Sequence, residues 1–323
     1  MNQHDRIFVA GHKGMVGSAI CRSLHRQGFK NLILAGRDEL DLTQQSAVRS
    51  FMAEQKPDCV VVAAAHVGGI LANDHYSADF ISNNIMIGFN LIQEAFRSGV
   101  RRLVFLGSSC IYPKEAPNPI RETQLLTGAL EITNRAYAIA KIASMELVYS
   151  LKKQYNASYY SLMPCNLYGP GDNFHPTHSH VIPGLIRRFV EAEKKQLPEV
   201  VIWGSGTVRR EFLYVDDCAD GIVHTLRHFS SEQLDKLCKD NHWSHLNLGY
   251  GSDLTIAELA EIIRSAVGYQ GMIRYDSSKP DGTRQKLMDS SLLRSTGWKP
   301  LTDVESGIRR TLDWYHSSEN LRL

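Results

Sequence analysis

Short apolar runs alternate with amphipathic helical stretches along the first half of this chain, and that rhythm most restricts what it can fold into. RIFVA is followed by helical periodicity near 15–27, NLILA by a helix near 43–54, CVVVAAA by a helix near 81–97, and RRLVFLGSS by a long helix from about Asn134 to Tyr155. SYYSLMPCNLYGP supplies a further strand. Runs that are apolar throughout suit strands covered on both faces, and strands spaced by helices imply right-handed crossovers over a parallel sheet. The expected class is α/β, a doubly wound parallel sheet. After Pro170 the rhythm breaks: helices are expected around 183–195 and 255–267, and strands at VVIWG, REFLYV and HLNLGY.

At 323 residues and 43% hydrophobic content the chain can bury a large core. Its 36 basic and 34 acidic residues nearly balance and no polybasic run occurs, so neither a nucleic-acid nor a membrane partner is expected. The longest apolar run, CVVVAAA, is too short to span a bilayer, and the N-terminus has no basic region followed by a long apolar stretch. A cytoplasmic setting is expected. The six cysteines are scattered without a CxxC pair, which fits reduced thiols.

The first strand runs into Gly11, His12, Lys13, Gly14, Met15, Val16, Gly17, a GxxGxxG loop opening a helix. Glycines there let backbone approach a pyrophosphate at the positive helix terminus and let helix and strand pack closely. This setting points to a Rossmann-type dinucleotide site in an N-terminal domain, residues 1–170. Segments near 208–222 and 245–251 are expected to return to it, and residues 171–323 to form a smaller substrate-binding lobe. Arg37 stands twenty residues after Gly17, where an NAD site usually carries an acid. Arg37 and Lys13 favour a 2′-phosphate, hence NADPH/NADP; the alternative is that both are surface charges and Asp38 is the acid.

Tyr137 and Lys141 form a YxxxK spacing on the long helix, sharing a face so that the ammonium is expected to lower the phenol's pKa. Ser108, at the end of the fourth strand, is the expected partner on a substrate carbonyl. Tyr149 and Lys153 repeat the spacing but are taken as a structural decoy without a partner. In GSSCIYP, Cys110 is either a strand-end packing thiol or a proton exchanger. His175, His178 and His180 lack a nearby cysteine or acidic cluster, so no metal is expected.

AGHKGMVGSAI, AAAHVGGILAN, LGSSCIYP, YAIAK, NLYGPGDNFHPTHSHVIP and WGSGTVRREFLYVDD together resemble the extended short-chain dehydrogenase/reductase family over nearly the whole length. Two positions depart from its pattern: Lys13 stands where close relatives often have arginine, and Met163 where the wider family often does. The resemblance implies NADPH-dependent epimerisation of GDP-4-keto-6-deoxy-D-mannose at C3 and C5, then reduction at C4. It implies Ser108, Tyr137 and Lys141 at the carbonyl, with Cys110 and His180 exchanging protons on opposite faces. It implies further cofactor contacts from Leu106, Gly107, Lys141, Pro164, Cys165, Asn166, Leu167 and His180. Substrate contacts are implied for Arg188, Trp203, Arg210, Asp281 and Lys286, an orienting role for Asn84, and a homodimer through the YxxxK helices. The alternatives are another nucleotide-sugar epimerase or dehydratase, or a non-catalytic NADP(H)-sensing module. Dehydratases typically follow the serine or threonine with acidic residues, whereas Ser109 and Cys110 follow Ser108 here.

Overall fold

The computed structural model describes residues 1–239, 243–279, 281–318 and 321. The first half follows the expected alternation: β1 (Ile7–Ala10), α1 (Met15–Arg26), β2 (Leu32–Ile33), α2 (Gln45–Gln55), β3 (Cys59–Val62), α3 (Ile70–His75), α4 (Ser77–Arg97), β4 (Arg102–Leu106), α5 (Arg135–Tyr155) and β5 (Ser158–Pro164). Then come β6 (Asn166–Tyr168), α6 (Val181–Lys194), β7 (Glu199–Trp203), β8 (Arg209–Tyr214), α7 (Val215–His228), α8 (Ser231–Leu237), β9 (His245–Leu248), β10 (Asp253–Thr255), α9 (Ile256–Val267), β11 (Met272–Asp276), β12 (Gln285–Lys286), α10 (Ser291–Arg294) and α11 (Val304–Ser317).

Six parallel strands form the main sheet in the order β2-β1-β3-β4-β5-β9. The chain passes from β1 to one side and then crosses back to β3, so the order reverses between β1 and β3. In such sheets ligands bind at that reversal, beyond the carboxyl ends of the strands. β1 and β3 are buried at all eight positions, as continuous apolar runs require.

Two expected strands differ from the structure. NLILA contributes only Leu32 and Ile33, both half-buried, because β2 is an edge strand with β1 as its one ladder neighbour. SYYSLMPCNLYGP is not one strand but two: β5 stays in the main sheet, whereas β6 pairs with β8 in a second sheet. Pro164, which has no N–H, closes β5, and Cys165 N donates to the Leu248 carbonyl at 3.1 Å as the chain turns away.

β8 pairs with β10, β12 and β6 rather than with the main sheet, while β9 forms the main sheet's last strand. α7 packs on α1, where Arg22 meets Asp216 at 2.6 Å and Arg26 meets Asp220 at 2.9 Å. Alternation along β8 joins two hydrophobic clusters: Leu213 enters the one around the main sheet, Phe212 and Tyr214 the one with Phe174, Leu185 and Leu259. Among the described residues no helix is long and apolar enough to cross a membrane.

Candidate active site

Four connections converge at the carboxyl edge of the main sheet: the glycine loop after β1, Ala63–Ala64 after β3, Gly107–Ser108 after β4, and Cys165–Asn166 after β5. Gly11 turns the chain at a φ of +87°, and a Cβ there would lie 2.8 Å from the Ala64 backbone. At Gly17 a Cβ would lie 2.1 Å from the Gly11 carbonyl oxygen, so this packing admits no side chain. Gly14 occupies the cap position of α1 and offers no side-chain cap, leaving first-turn N–H groups open to an anion. The buried His12 Nδ1 has no hydrogen-bond partner among the described residues. Lys13 Nζ lies against Gly36, 2.6 Å from where a Cβ would stand, and thus beside the exposed Arg37. Met15 and Val16 are half-buried in the first turn of α1. Glu39 accepts from Gly36 N at 2.6 Å, and Asp38 is exposed. A cradle with no room for side chains, an orphaned polar atom and two adjacent cations fit a phosphorylated dinucleotide.

Beyond β4, Ser108 caps a 3-10 turn, Ser109–Ile111, its Oγ accepting from Cys110 N at 3.4 Å. A Cβ at Gly107 would lie 2.3 Å from the sulfur of the fully buried Met163, so a side chain there would force Met163 to repack. α5 brings Tyr137 and Lys141 to the same edge. Lys141 is buried, its Nζ donating to the Leu106 carbonyl at 2.8 Å, 5.7 Å from the Tyr137 ring centre. Burial lowers the ammonium to about 8. The expected lowering of the phenol by Lys141 is not found: burial, then neighbouring Cys110, push Tyr137 well upward, while the Lys141 ammonium donates to the Leu106 carbonyl. Burial also raises the Cys110 thiol, opposed by Lys286, by a hydrogen bond with Ser108 and by Lys141. Tyr149 packs its ring on Trp243 at 6.2 Å with Lys153 over it at 5.9 Å, a packing role away from these groups.

His180 opens α6 on the facing loop. Its side chain is exposed, yet neighbouring atoms desolvate it and lower its pKa. His175 Nδ1 accepts from Thr177 N and His178 N, both at 3.2 Å, and its ring stacks on His178. The loop is latched where Gly69 N donates to the His178 carbonyl at 3.3 Å. Asn84 grips the loop after β3 with bonds to His66 N and O, both 2.9 Å. Asn73 of α3 donates to Asn134 at 2.7 Å, tying that helix to the start of α5. Asn73, on α3, and Asn134, just before α5, carry no periodic signal in the sequence, since they meet only in the assembled fold.

Cys165 is a buried thiol 3.7 Å from the Asn166 carbonyl, and Asn166 Nδ2 donates to the Glu211 carbonyl at 2.8 Å, with Leu167 half-buried beside it. Lys286 and Arg210 lie on paired strands, both desolvated. Arg188 donates to the carbonyls of Gly184 at 3.2 Å and Val201 at 3.0 Å. Trp203 is exposed under Lys279, and Asp281 accepts from Ser205 N at 2.7 Å, closing the turn after Trp203. Among the described residues no three histidine, cysteine or acidic side chains gather as a metal site.

Residues 7–238 match the NAD dependent epimerase/dehydratase family. GDP-L-fucose synthase 1 of Arabidopsis thaliana is 52% identical over 96% of this chain and 93% of its own length. GDP-L-fucose synthase of Escherichia coli is 50% identical over 98% of both chains. The crystal structure of a GDP-L-fucose synthetase from Naegleria fowleri bound to NADP superposes with a TM-score of 0.87 at 26% identity, covering 100% of this chain and 98% of that one. With the glycine cradle, the YxxxK pair and full-length similarity in agreement, the chain belongs to the NAD dependent epimerase/dehydratase family.

Proposed function

We propose that this protein converts GDP-4-keto-6-deoxy-D-mannose to GDP-L-fucose, inverting C3 and C5 and reducing C4 with NADPH. The observation that carries this is the meeting of Ser108, Cys110, Tyr137 and Lys141 at one sheet edge, in a chain half identical to two proteins bearing that name. Gly11, Gly14, Gly17 and His12 would hold the pyrophosphate, and Lys13 with Arg37 the 2′-phosphate. Pro164 to Leu167, Leu106, Gly107, Lys141 and His180 would line the remainder of the cofactor site. NADPH, when bound, supplies the hydride for C4.

Protons at C3 and C5 lie α to the C4 carbonyl, so removing either leaves an enolate whose oxygen Ser108 and Tyr137 can hold. Inversion needs proton exchange on both faces, assigned to Cys110 on one and His180 on the other. Burial, opposed by Lys286 and Lys141, favours the protonated Cys110 thiol, and desolvation favours the neutral His180 imidazole, so His180 can take a proton from one face while Cys110 gives one on the other, the roles reversing at the second centre. In the reduction Tyr137 gives its proton to O4, and Lys141 compensates the charge left on the phenolate. Arg188, Arg210 and Lys286 would meet the diphosphate, with Trp203 and Asp281 at the nucleotide end.

The division into an NADP(H) domain and a substrate lobe, and a cytoplasmic setting, belong to the same proposal. So does a homodimer through α4 and α5, supported by the exposed apolar Met86, Phe89 and Ile139 on those helices. The test is NADPH oxidation with GDP-4-keto-6-deoxy-D-mannose, with the product's configuration determined. GDP-L-fucose is the expected product; no oxidation, or a product of unchanged C5 configuration, would overturn the proposal.

A further inference from the structure

Arg210 of β8 and Lys286 of β12 are partners in parallel register, and side chains at paired positions share one face of a sheet. Two cations side by side repel: burial and, less strongly, Arg210 lower the Lys286 pKa, with Cys110 and Glu131 acting the other way. Arg210 Nη1 donates to the Arg209 carbonyl at 2.8 Å rather than to a carboxylate. β12 is only two residues long, so its ladder alone is a weak hold on Lys286.

The opposite face of the same strands carries the hold. Glu211, next to Arg210, is fully buried. Its Oε2 accepts from Met288 N at 3.0 Å, two residues beyond Lys286, and its Oε1 accepts from Gly251 N at 2.6 Å. A side chain at Gly249 would strike this carboxylate at 2.4 Å, so the pocket around it is closed. Asn118 braces the segment from the other side, accepting from Leu287 N at 2.7 Å and donating to the Gln285 carbonyl at 3.3 Å. A carboxylate in that pocket is costly to bury, and burial pushes Glu211 up to about 7 in spite of its N–H donors. An apolar residue could fill the space but could not accept two N–H groups from separate segments.

We propose that Glu211 is a positioning residue for diphosphate binding: its carboxylate ties the β12 segment to β8 and thereby sets Arg210 and Lys286 as a two-cation clamp. This rests on the proposed GDP-sugar site.

The test is titration of the full-length protein with GDP, inorganic pyrophosphate and NADPH, alongside steady-state kinetics. Glu211→Gln keeps the shape but turns an amide N–H₂ toward one of the two donors. Its Kd for GDP and pyrophosphate and its KM for the sugar nucleotide should rise about ten- to a hundredfold, with NADPH affinity retained. In an Arg210→Ala/Lys286→Ala background the same change should add almost nothing, because the residues it acts through are gone. The surface variant Asn118→Ala should shift GDP binding in the same direction, by less, and carries the test if Glu211→Gln does not fold. Unchanged GDP affinity in either single variant, an equal loss of NADPH binding, or a full effect persisting without the two cations would overturn the proposal. If the wild type binds pyrophosphate but not GDP, the guanine assignment fails and the clamp stands; binding of neither overturns the clamp.

Discussion

Gly17→Ala and Gly14→Ala change two residues that the GxxGxxG pattern treats alike, and the structure separates them sharply. Alanine is favoured over glycine inside a helix by about 1 kcal/mol, so propensity alone would make Gly17→Ala stabilising. Packing opposes this. The new Cβ would lie 2.1 Å from the Gly11 oxygen, 2.6 Å from its carbonyl carbon and 2.8 Å from His12 Cα, all backbone atoms that cannot rotate aside. Restoring ordinary carbon contacts of about 3.5 Å requires α1 and the loop to separate by roughly 1 Å, which takes the first-turn N–H groups off a bound pyrophosphate. Losing two charge-assisted hydrogen bonds at about 1.5–3 kcal/mol each weakens NADPH by about a hundred- to ten-thousandfold. At Gly14 the nearest atom is 3.2 Å away, and the backbone, at φ −79° and ψ 165°, is one that alanine adopts readily. Gly14→Ala should therefore weaken NADPH less than about tenfold. Fluorescence titration with NADPH, beside thermal unfolding without it, reads both effects. Wild-type NADPH affinity in Gly17→Ala, or equal losses in the two variants, would refute the packing argument.

Arg37→Ala should weaken NADPH about ten- to a hundredfold while leaving NADH nearly untouched, and equal losses in competitive titrations would give the arginine another role. Tyr137→Phe should bind NADPH normally and lose most reduction, measured as NADPH oxidation, while deuterium from solvent still enters C3 and C5; near-normal reduction would remove Tyr137 from the mechanism. Cys110→Ser should fold and bind NADPH but lose most of that deuterium incorporation, because a hydroxyl is far less acidic than a thiol; unaltered exchange would return Cys110 to strand-end packing. Glu122, buried and accepting from Asn247 N at 2.9 Å, is raised by burial from 4.5 to about 7. The folded state therefore holds this proton more tightly, and its contribution is present at pH 4.5 and lost as pH rises through about 7, roughly 3 kcal/mol in all. Urea unfolding between pH 5 and 7.5 should show a shallower decline for Glu122→Gln than for the wild type, and parallel curves would contradict the assignment.

What sequence by itself determined was local: the buried runs, the helices between them, and the glycine loop at the first junction. Burial on both faces writes a continuous apolar run and burial on one side of a helix writes a 3.6-residue period, so β1, β3, β4 and α5 were legible without coordinates. The ordering of Gly11, Ser108 and Tyr137 along such a framework also foretold their convergence, because parallel strands deliver every loop of one kind to the same edge. Tertiary structure alone decided whatever depends on packing between distant segments. YxxxK occurs twice on α5, and only packing sets Tyr137 at the sheet edge and Tyr149 against Trp243. Spacing put Lys141 beside Tyr137, but desolvation and the nearby Cys110 decide how the pKa values of both shift. Arg210 and Lys286 become neighbours only through strand register, and Glu211 beside them is a carboxylate that local polarity would assign to the surface. Register and desolvation are properties of the assembled fold, since each depends on atoms many residues away, and no local pattern of residues encodes them.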